Sequence, residues 1–150
     1  MSRDDAVRAM LVLMPRVAQR LKRTTVPEKL RTLNLAPRHL SLLSHLVFDG
    51  PAPVNELAAR LEVAPTTVSL MVADLSRQGV VERKPDPADR RRTIVSLSDD
   101  PETREAINGW LARGASSWEA ALDPLTPQER AMFVRTMTAY ESGASADQKE

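Results

Sequence analysis

Apolar residues recur along this chain at three- and four-residue intervals, interrupted once by a stretch of alternating apolar and polar positions. Ala6, Met10, Leu13, Val17 and Leu21 share one side of a helix predicted over about Asp4–Arg23, with Pro15 inside it. A second helix is predicted over Pro37–Phe48, with Leu40, Leu43, Leu46 and Val47 facing inward and Asp49-Gly50-Pro51 ending it. A short helix near Val54–Leu61, a turn at Glu62-Val63-Ala64 and a helix over Pro65–Gln78 follow. Val68, Met71, Val72 and Leu75 form the apolar face of the last of these. Pro65 suits its first position and Gly79 its stop.

The period then changes to two. Val80–Lys84 and Thr93–Leu97 read as strands, Val95 and Leu97 alternating with Ile94 and Ser96, and the turn-rich Pro85–Asp89 joins them as a hairpin. Helical spacing returns after Ser98-Asp99-Asp100-Pro101-Glu102, a strong helix start. Ile107, Leu111, Trp118 and Leu122 make its stripe, and Gly109 and Gly114 lower its propensity. Thr126-Pro127-Gln128-Glu129 is a capping box that opens a final helix with Phe133, Met137 and Tyr140 on its apolar face. The small polar residues from Glu141 onward suggest a disordered tail over about 142–150.

These elements imply a mainly α fold with a small β-hairpin wing: a winged helix-turn-helix plus N- and C-terminal helices, in a single domain over residues 1–150. The organising stretch is Asn55–Leu97. Ala58, Glu62 and Val68 stand where a helix-turn-helix needs a small packing residue, a turn and a core anchor. The DNA-binding core would span about 36–98. Helical regions at about 4–24 and 99–141 are not needed for that core, so their apolar stripes are expected to build a C2 homodimer. Thr66, Thr67, Ser69 and Leu70 are left at the N-terminal end of the second motif helix, the end that meets base edges in a major groove.

Charge changes the picture. The net charge is only +1, yet residues 1–97 carry 16 Lys or Arg against 10 Asp or Glu, and residues 98–150 carry 5 against 10. A basic part holding the helix-turn-helix suits duplex DNA. The basic run Arg16, Arg20, Lys22, Arg23, Lys29 and Arg31 reads first as a solvated face, with phosphate contact as the sharper alternative. An aromatic content of 3% argues against stacking platforms for RNA or single strands. There is no cysteine, which excludes disulfides and thiol redox chemistry and fits a cytoplasmic protein. No run of 18 apolar residues spans a membrane, and the acidic residues of MSRDDAVRAM argue against a secretory signal.

Nothing points to catalysis, to a metal or to a cofactor. There is no Gly-rich phosphate loop and no nucleophile with a partnered base, and His39 and His45 lack the spacing of a helical metal pair. The protein is expected not to be an enzyme.

The order helix, helix, helix-turn-helix, wing, long helix, closing helix resembles the MarR family of bacterial transcriptional regulators, from about Ala6 to Tyr140. ELAARLEVAPTTVSLMVADLSRQGVVER and DPADRRRTIVSLS carry the resemblance most specifically. It implies a homodimeric regulator, a repressor, on a pseudo-palindromic double-stranded operator. The Asp-x-Arg of the wing is matched by Asp89 and Arg91, the aspartate orienting an arginine that enters the minor groove. Arg90 and Arg92 then read as phosphate contacts, with Arg77 and Arg83 as weaker ones. The resemblance also implies release by a small aromatic or anionic effector, for which Arg16, His39 and Trp110 are candidates. Departures from the family pattern are an uncapped Ala64, Glu62 at a position often held by Gly, and no base near Pro65 or at Leu70. Affinity should therefore lean on the wing. The alternative reading is a winged-helix module that binds protein and not DNA.

Overall fold

The computed structural model describes residues 1–23, 27–31, 33, 35 and 37–147. Among them the chain forms α1 (Arg3–Arg23), α2 (Glu28–Arg31), α3 (Pro37–Phe48), β1 (Ala52–Pro53), α4 (Val54–Arg60), α5 (Pro65–Arg77), β2 (Val81–Pro85), β3 (Thr93–Leu97), α6 (Pro101–Leu122) and α7 (Pro127–Asp147). They divide into two compact units, residues 1–107 and 108–150, with the boundary inside α6.

In the first unit, the apolar faces of α3, α4, α5 and β3 converge on one core. Leu42, Leu43, Leu57, Val68, Val72, Leu75, Val80, Val95 and Ile107 are all sealed from solvent, and α2 adds Leu30. The face of α5 is the one its spacing predicts: Val68, Met71, Val72 and Leu75. Each such side chain contributes about 1.5–3 kcal/mol on leaving water. On α3 the inward set is Leu42, Leu43 and Leu46, while Leu40 and Val47 are half-buried.

Both helices of the motif end in the same hydrogen-bond pattern. At α4 the Glu62 amide donates to the Ala59 carbonyl at 3.3 Å and the Val63 amide to that of Ala58 at 3.1 Å. At α5 Gly79 donates to Ser76 at 3.1 Å and Val80 to Leu75 at 2.9 Å. This paired closure requires a left-handed residue in the middle. Gly79 has φ +71°, which glycine adopts freely, and Glu62 has φ +53° despite its Cβ. These reversals set the direction in which α5 leaves α4 and in which β2 leaves α5.

The sheet has order β1-β3-β2, both pairings antiparallel. Val81 pairs with Leu97, Arg83 with Val95 and Pro85 with Thr93 across the wing. Val95 and Leu97 are buried and Ile94 and Ser96 half-buried, as the alternation predicts. β1 was not legible as a strand: two residues, one of them Pro53, carry no period, and proline is tolerated only because the strand is an edge. The four-residue α2 escaped for the same reason.

α1 does not bury its predicted stripe within the chain. Met10, Leu13 and Leu21 are exposed and only Ala6 and Val17 half-buried. In the second unit Trp118 and Phe133 pack with ring centroids 5.8 Å apart, yet each keeps a third or more of its surface in solvent. Tyr140 is exposed, and Leu111, Leu122 and Met137 are half-buried. The capping box forms: the Thr126 amide donates to Glu129 Oε2 at 2.8 Å and the Glu129 amide to Thr126 Oγ1 at 3.3 Å.

One expectation is corrected. Residues 142–147, read as part of a disordered tail, continue α7 to Asp147. Alanines at 144 and 146 favour helix, and the Ser142 hydroxyl donates to the Thr138 carbonyl at 3.0 Å. Residues 148–150, and position 36 at the expected start of the core, lie outside the described residues.

Candidate nucleic-acid interface

The exposed face of α5 consists of short polar and apolar side chains. Thr66, Ser69 and Leu70 are exposed, Leu70 by 74%, and Thr67 is half-buried. The helix starts from Ala64, whose φ of −63° and ψ of 142° are those of an N-cap, with no side chain to accept a first-turn amide. Pro65 follows, preset for the first helical position.

At the other end of α5, Asp74 gathers three partners. It accepts from Arg77 Nη2 at 3.0 Å and from Gln78 Nε2 at 3.2 Å, and faces His39 Nε2 of α3 at 4.0 Å. His39 is only 2% exposed. Burial holds its pKa below the ordinary value, Arg38 adds to that, and Asp74 opposes it. The pairing with Asp74 leaves Arg77 partly neutralised.

The wing is folded around two aspartates. The Asp86 amide donates to the Arg92 carbonyl at 2.9 Å, and the Arg92 amide to the Asp89 carbonyl at 2.8 Å. Asp86 Oδ1 accepts the Ala88 amide at 2.9 Å, a local Asx turn. Asp89 Oδ1 accepts both the Arg91 amide at 3.1 Å and Arg91 Nε at 3.3 Å. The carboxylate thus orients the guanidinium while Arg91 stays 92% exposed. Arg92 Nη1 lies 3.8 Å from Asp86. Arg83 and Arg90 are exposed and, among the described residues, have no carboxylate within ion-pair distance.

A further charged group ties the wing to the start of α6. Lys84 Nζ lies 3.0 Å from Glu82 and 3.6 Å from Asp99, Arg104 Nη1 lies 3.4 Å from Asp99, and the Asp99 amide donates to Glu82 Oε1 at 3.2 Å. The Lys84 hydrogen bond holds the Glu82 carboxyl below its usual range, and the same bond raises Lys84. Sequence reading passed over Asp74, Asp86 and this network. The only signal was the two-residue spacing of Glu82 and Lys84, which puts both on one face of a strand.

The residues expected to bind an effector fall into different settings. Arg16 is exposed on α1, His39 is buried against α5, and Trp110 is half-buried in the other unit. Of the basic run, Arg16, Arg20 and Arg31 are exposed, and the side chains of Lys22, Arg23 and Lys29 lie outside the described residues.

Comparison with known proteins places this geometry. Residues 33–92 match the MarR family model. The chain is 28% identical over 127 residues to the HTH-type transcriptional repressor MdtR of Bacillus subtilis, covering 83% of this chain and 81% of that one. A probable transcriptional regulator from Pseudomonas aeruginosa superposes with a TM-score of 0.59 at 28% identity, over 93% of this chain and 98% of its own. A point mutant of S. aureus MepR bound to an oligodeoxyribonucleotide has the same fold, with a TM-score of 0.54 at 20% identity over 89% and 96%. The first is named as a transcriptional repressor and the second as a probable transcriptional regulator. With a winged helix-turn-helix, an Asp-x-Arg wing and a repressor aligned over most of its length, the chain is similar to the MarR family of transcriptional regulators.

Proposed function

We propose that the protein is a homodimeric repressor that binds a pseudo-palindromic operator, with α5 in the major groove and Arg91 in the minor groove beside it. The observation that carries this is the Asp89–Arg91 pair. A guanidinium held in place by the Asp89 carboxylate two residues before it, yet almost wholly exposed at a hairpin tip, loses little freedom on entering a narrow groove. The unpaired Arg83 and Arg90 supply phosphate contacts, while Thr66, Thr67, Ser69 and Leu70 meet base edges and thymine methyls. The oligonucleotide complex of MepR supports duplex DNA as the partner.

Dimerisation follows from the apolar surface that α1 and the second unit leave in water. Met10, Leu11, Leu13 and Leu21 on α1, and Met132, Val134 and Tyr140 on α7, are exposed side chains of the sort a second copy covers. Response to a small molecule is supported by the PcaV regulator of Streptomyces coelicolor, a protein of this fold solved with its natural ligand.

Footprinting on the promoter flanking the protein's own gene tests the whole reading. Two protected half-sites about one helical turn apart, roughly 10 bp centre to centre, are expected. Their loss in Arg91→Ala at matched salt is the second expected result. An Arg91→Ala protein that protects the same DNA as well as wild type sinks the minor-groove role. The exposed Leu70, on a helix face without a base, favours the protein-binding alternative. A stable hetero-complex with no protected duplex would establish that reading instead.

A further inference from the structure

A cleft of about 550 Å³ opens at the base of the wing, within the size range of small-molecule sites. None of Arg16, His39 and Trp110 lines it. Its apolar wall comes from Val47 at the end of α3, Pro51 in the turn after it, and Ile94 of β3. Its charged wall is Lys84, Asp99 and Arg104, two cations to one carboxylate, with Glu82 outside the lining. The Asp99 carboxylate bridges the cations at 3.6 and 3.4 Å, well beyond the ~2.7–2.9 Å of a close charge-assisted bond. It is also 72% exposed. Lys84 is held more closely by Glu82, at 3.0 Å, so Asp99, the carboxylate paired with both cations, is the loosely held one and is open to replacement.

We infer that this cleft binds a small amphipathic carboxylate, whose head takes the place of Asp99 between Lys84 and Arg104 and whose apolar body lies on Val47, Pro51 and Ile94. An aliphatic and proline wall without an aromatic ring selects by size and head charge, not by stacking. An occupant touches β2, β3 and the first turn of α6 together, so it alters the angle at which the wing leaves the domain. The consequence for DNA rests on the wing contact proposed above; the binding itself does not.

Isothermal titration of the full chain with phenylbutyrate, phenylbutanol and phenylbutylamine tests the site. The carboxylate should bind at least about tenfold more tightly than either analogue, equivalent to roughly 1.4 kcal/mol. A Lys84→Gln, Arg104→Gln double variant should lose that preference, and Asp99→Asn, which removes the competing anion, should bind severalfold more tightly. The three substituted side chains, Lys84, Asp99 and Arg104, are exposed, and thermal melts check that each variant stays folded. Equal binding of the amine, an unchanged preference in the double variant, or no binding by wild type overturns the site. Duplex affinity measured with and without phenylbutyrate tests the coupling. Binding without any change in that affinity, in a protein whose Arg91→Ala variant is impaired, overturns the coupling. Failure of ligand-free protein to bind duplex is the failure of the repressor reading, and the titration then still decides the site.

Discussion

The two helix ends of the DNA-binding motif form an internal control, because they share one geometry and differ in the residue that must be left-handed. Glu62 holds φ +53° at the first and Gly79 φ +71° at the second. A residue with a Cβ in this region carries about 1–2 kcal/mol of steric cost. Replacing it by glycine removes that cost but adds about 0.4–1 kcal/mol of unfolded-chain entropy. Glu62→Gly should therefore stabilise the protein by about 0.5–1 kcal/mol. For a chain of this size that raises Tm by roughly 1–4 °C. Gly79→Ala should destabilise by a similar amount. A Cβ built there meets nothing within 4 Å, so its cost is backbone conformation alone. Urea and thermal unfolding of both variants give the numbers. Glu62→Ala separates strain from lost side-chain contacts, since it keeps the Cβ and should gain almost nothing. If Ala and Gly at position 62 stabilise equally, the backbone argument is wrong.

Other consequences can be checked in the same preparations. Ala64→Ser supplies the missing acceptor at an N-cap already in the right conformation, and should add about 1 kcal/mol in urea unfolding. His39 is buried neutral, so the unfolded chain takes up a proton as pH falls through about 6.5 and the folded chain does not. Its contribution is complete above that pH and is lost as pH drops toward the depressed folded pKa. His39→Gln should flatten the urea midpoint between about pH 7 and 5 relative to wild type, and an unchanged slope there rules the histidine out. On operator DNA, Arg91→Ala should cost about 1–3 kcal/mol at fixed salt, whereas Arg90→Ala should chiefly lower the salt slope by about 0.9. Asp89→Asn should weaken duplex binding while leaving fold stability within about 0.5 kcal/mol, because the pair it breaks is solvent-exposed. Loss of the fold in that variant would show the aspartate to be structural.

Local signals were legible wherever a side chain decides structure near itself. The Thr126–Glu129 box, the cap at Asp100 that accepts the Thr103 amide at 2.9 Å, and the Gly79 stop are each short-range chemistry, and each is formed. The buried face of α5 was legible too, because four apolar residues at helical spacing admit one inward direction. β1 was not, since its two residues become a strand only by pairing with Ile94 and Val95, forty residues on. The end of α7 was misjudged because a polar, small-residue composition suggests disorder, whereas alanine and serine still propagate a helix that is already nucleated.

At the candidate interface the same division holds. Asp89 and Arg91 are two residues apart, so their pairing was readable along the chain, and the turn that aims them is built mostly from residues within six positions. The burial of His39 against Asp74 and the meeting of Lys84 with Asp99 join segments 15 or more positions apart. Periodicity, caps and turn chemistry determined which elements form and which faces they turn inward, because these depend on interactions a few residues long. Only the tertiary structure decided which distant charges meet and where the cleft at the base of the wing opens. Those depend on how the packed core fixes the spacing of separate segments, and no single segment encodes that spacing.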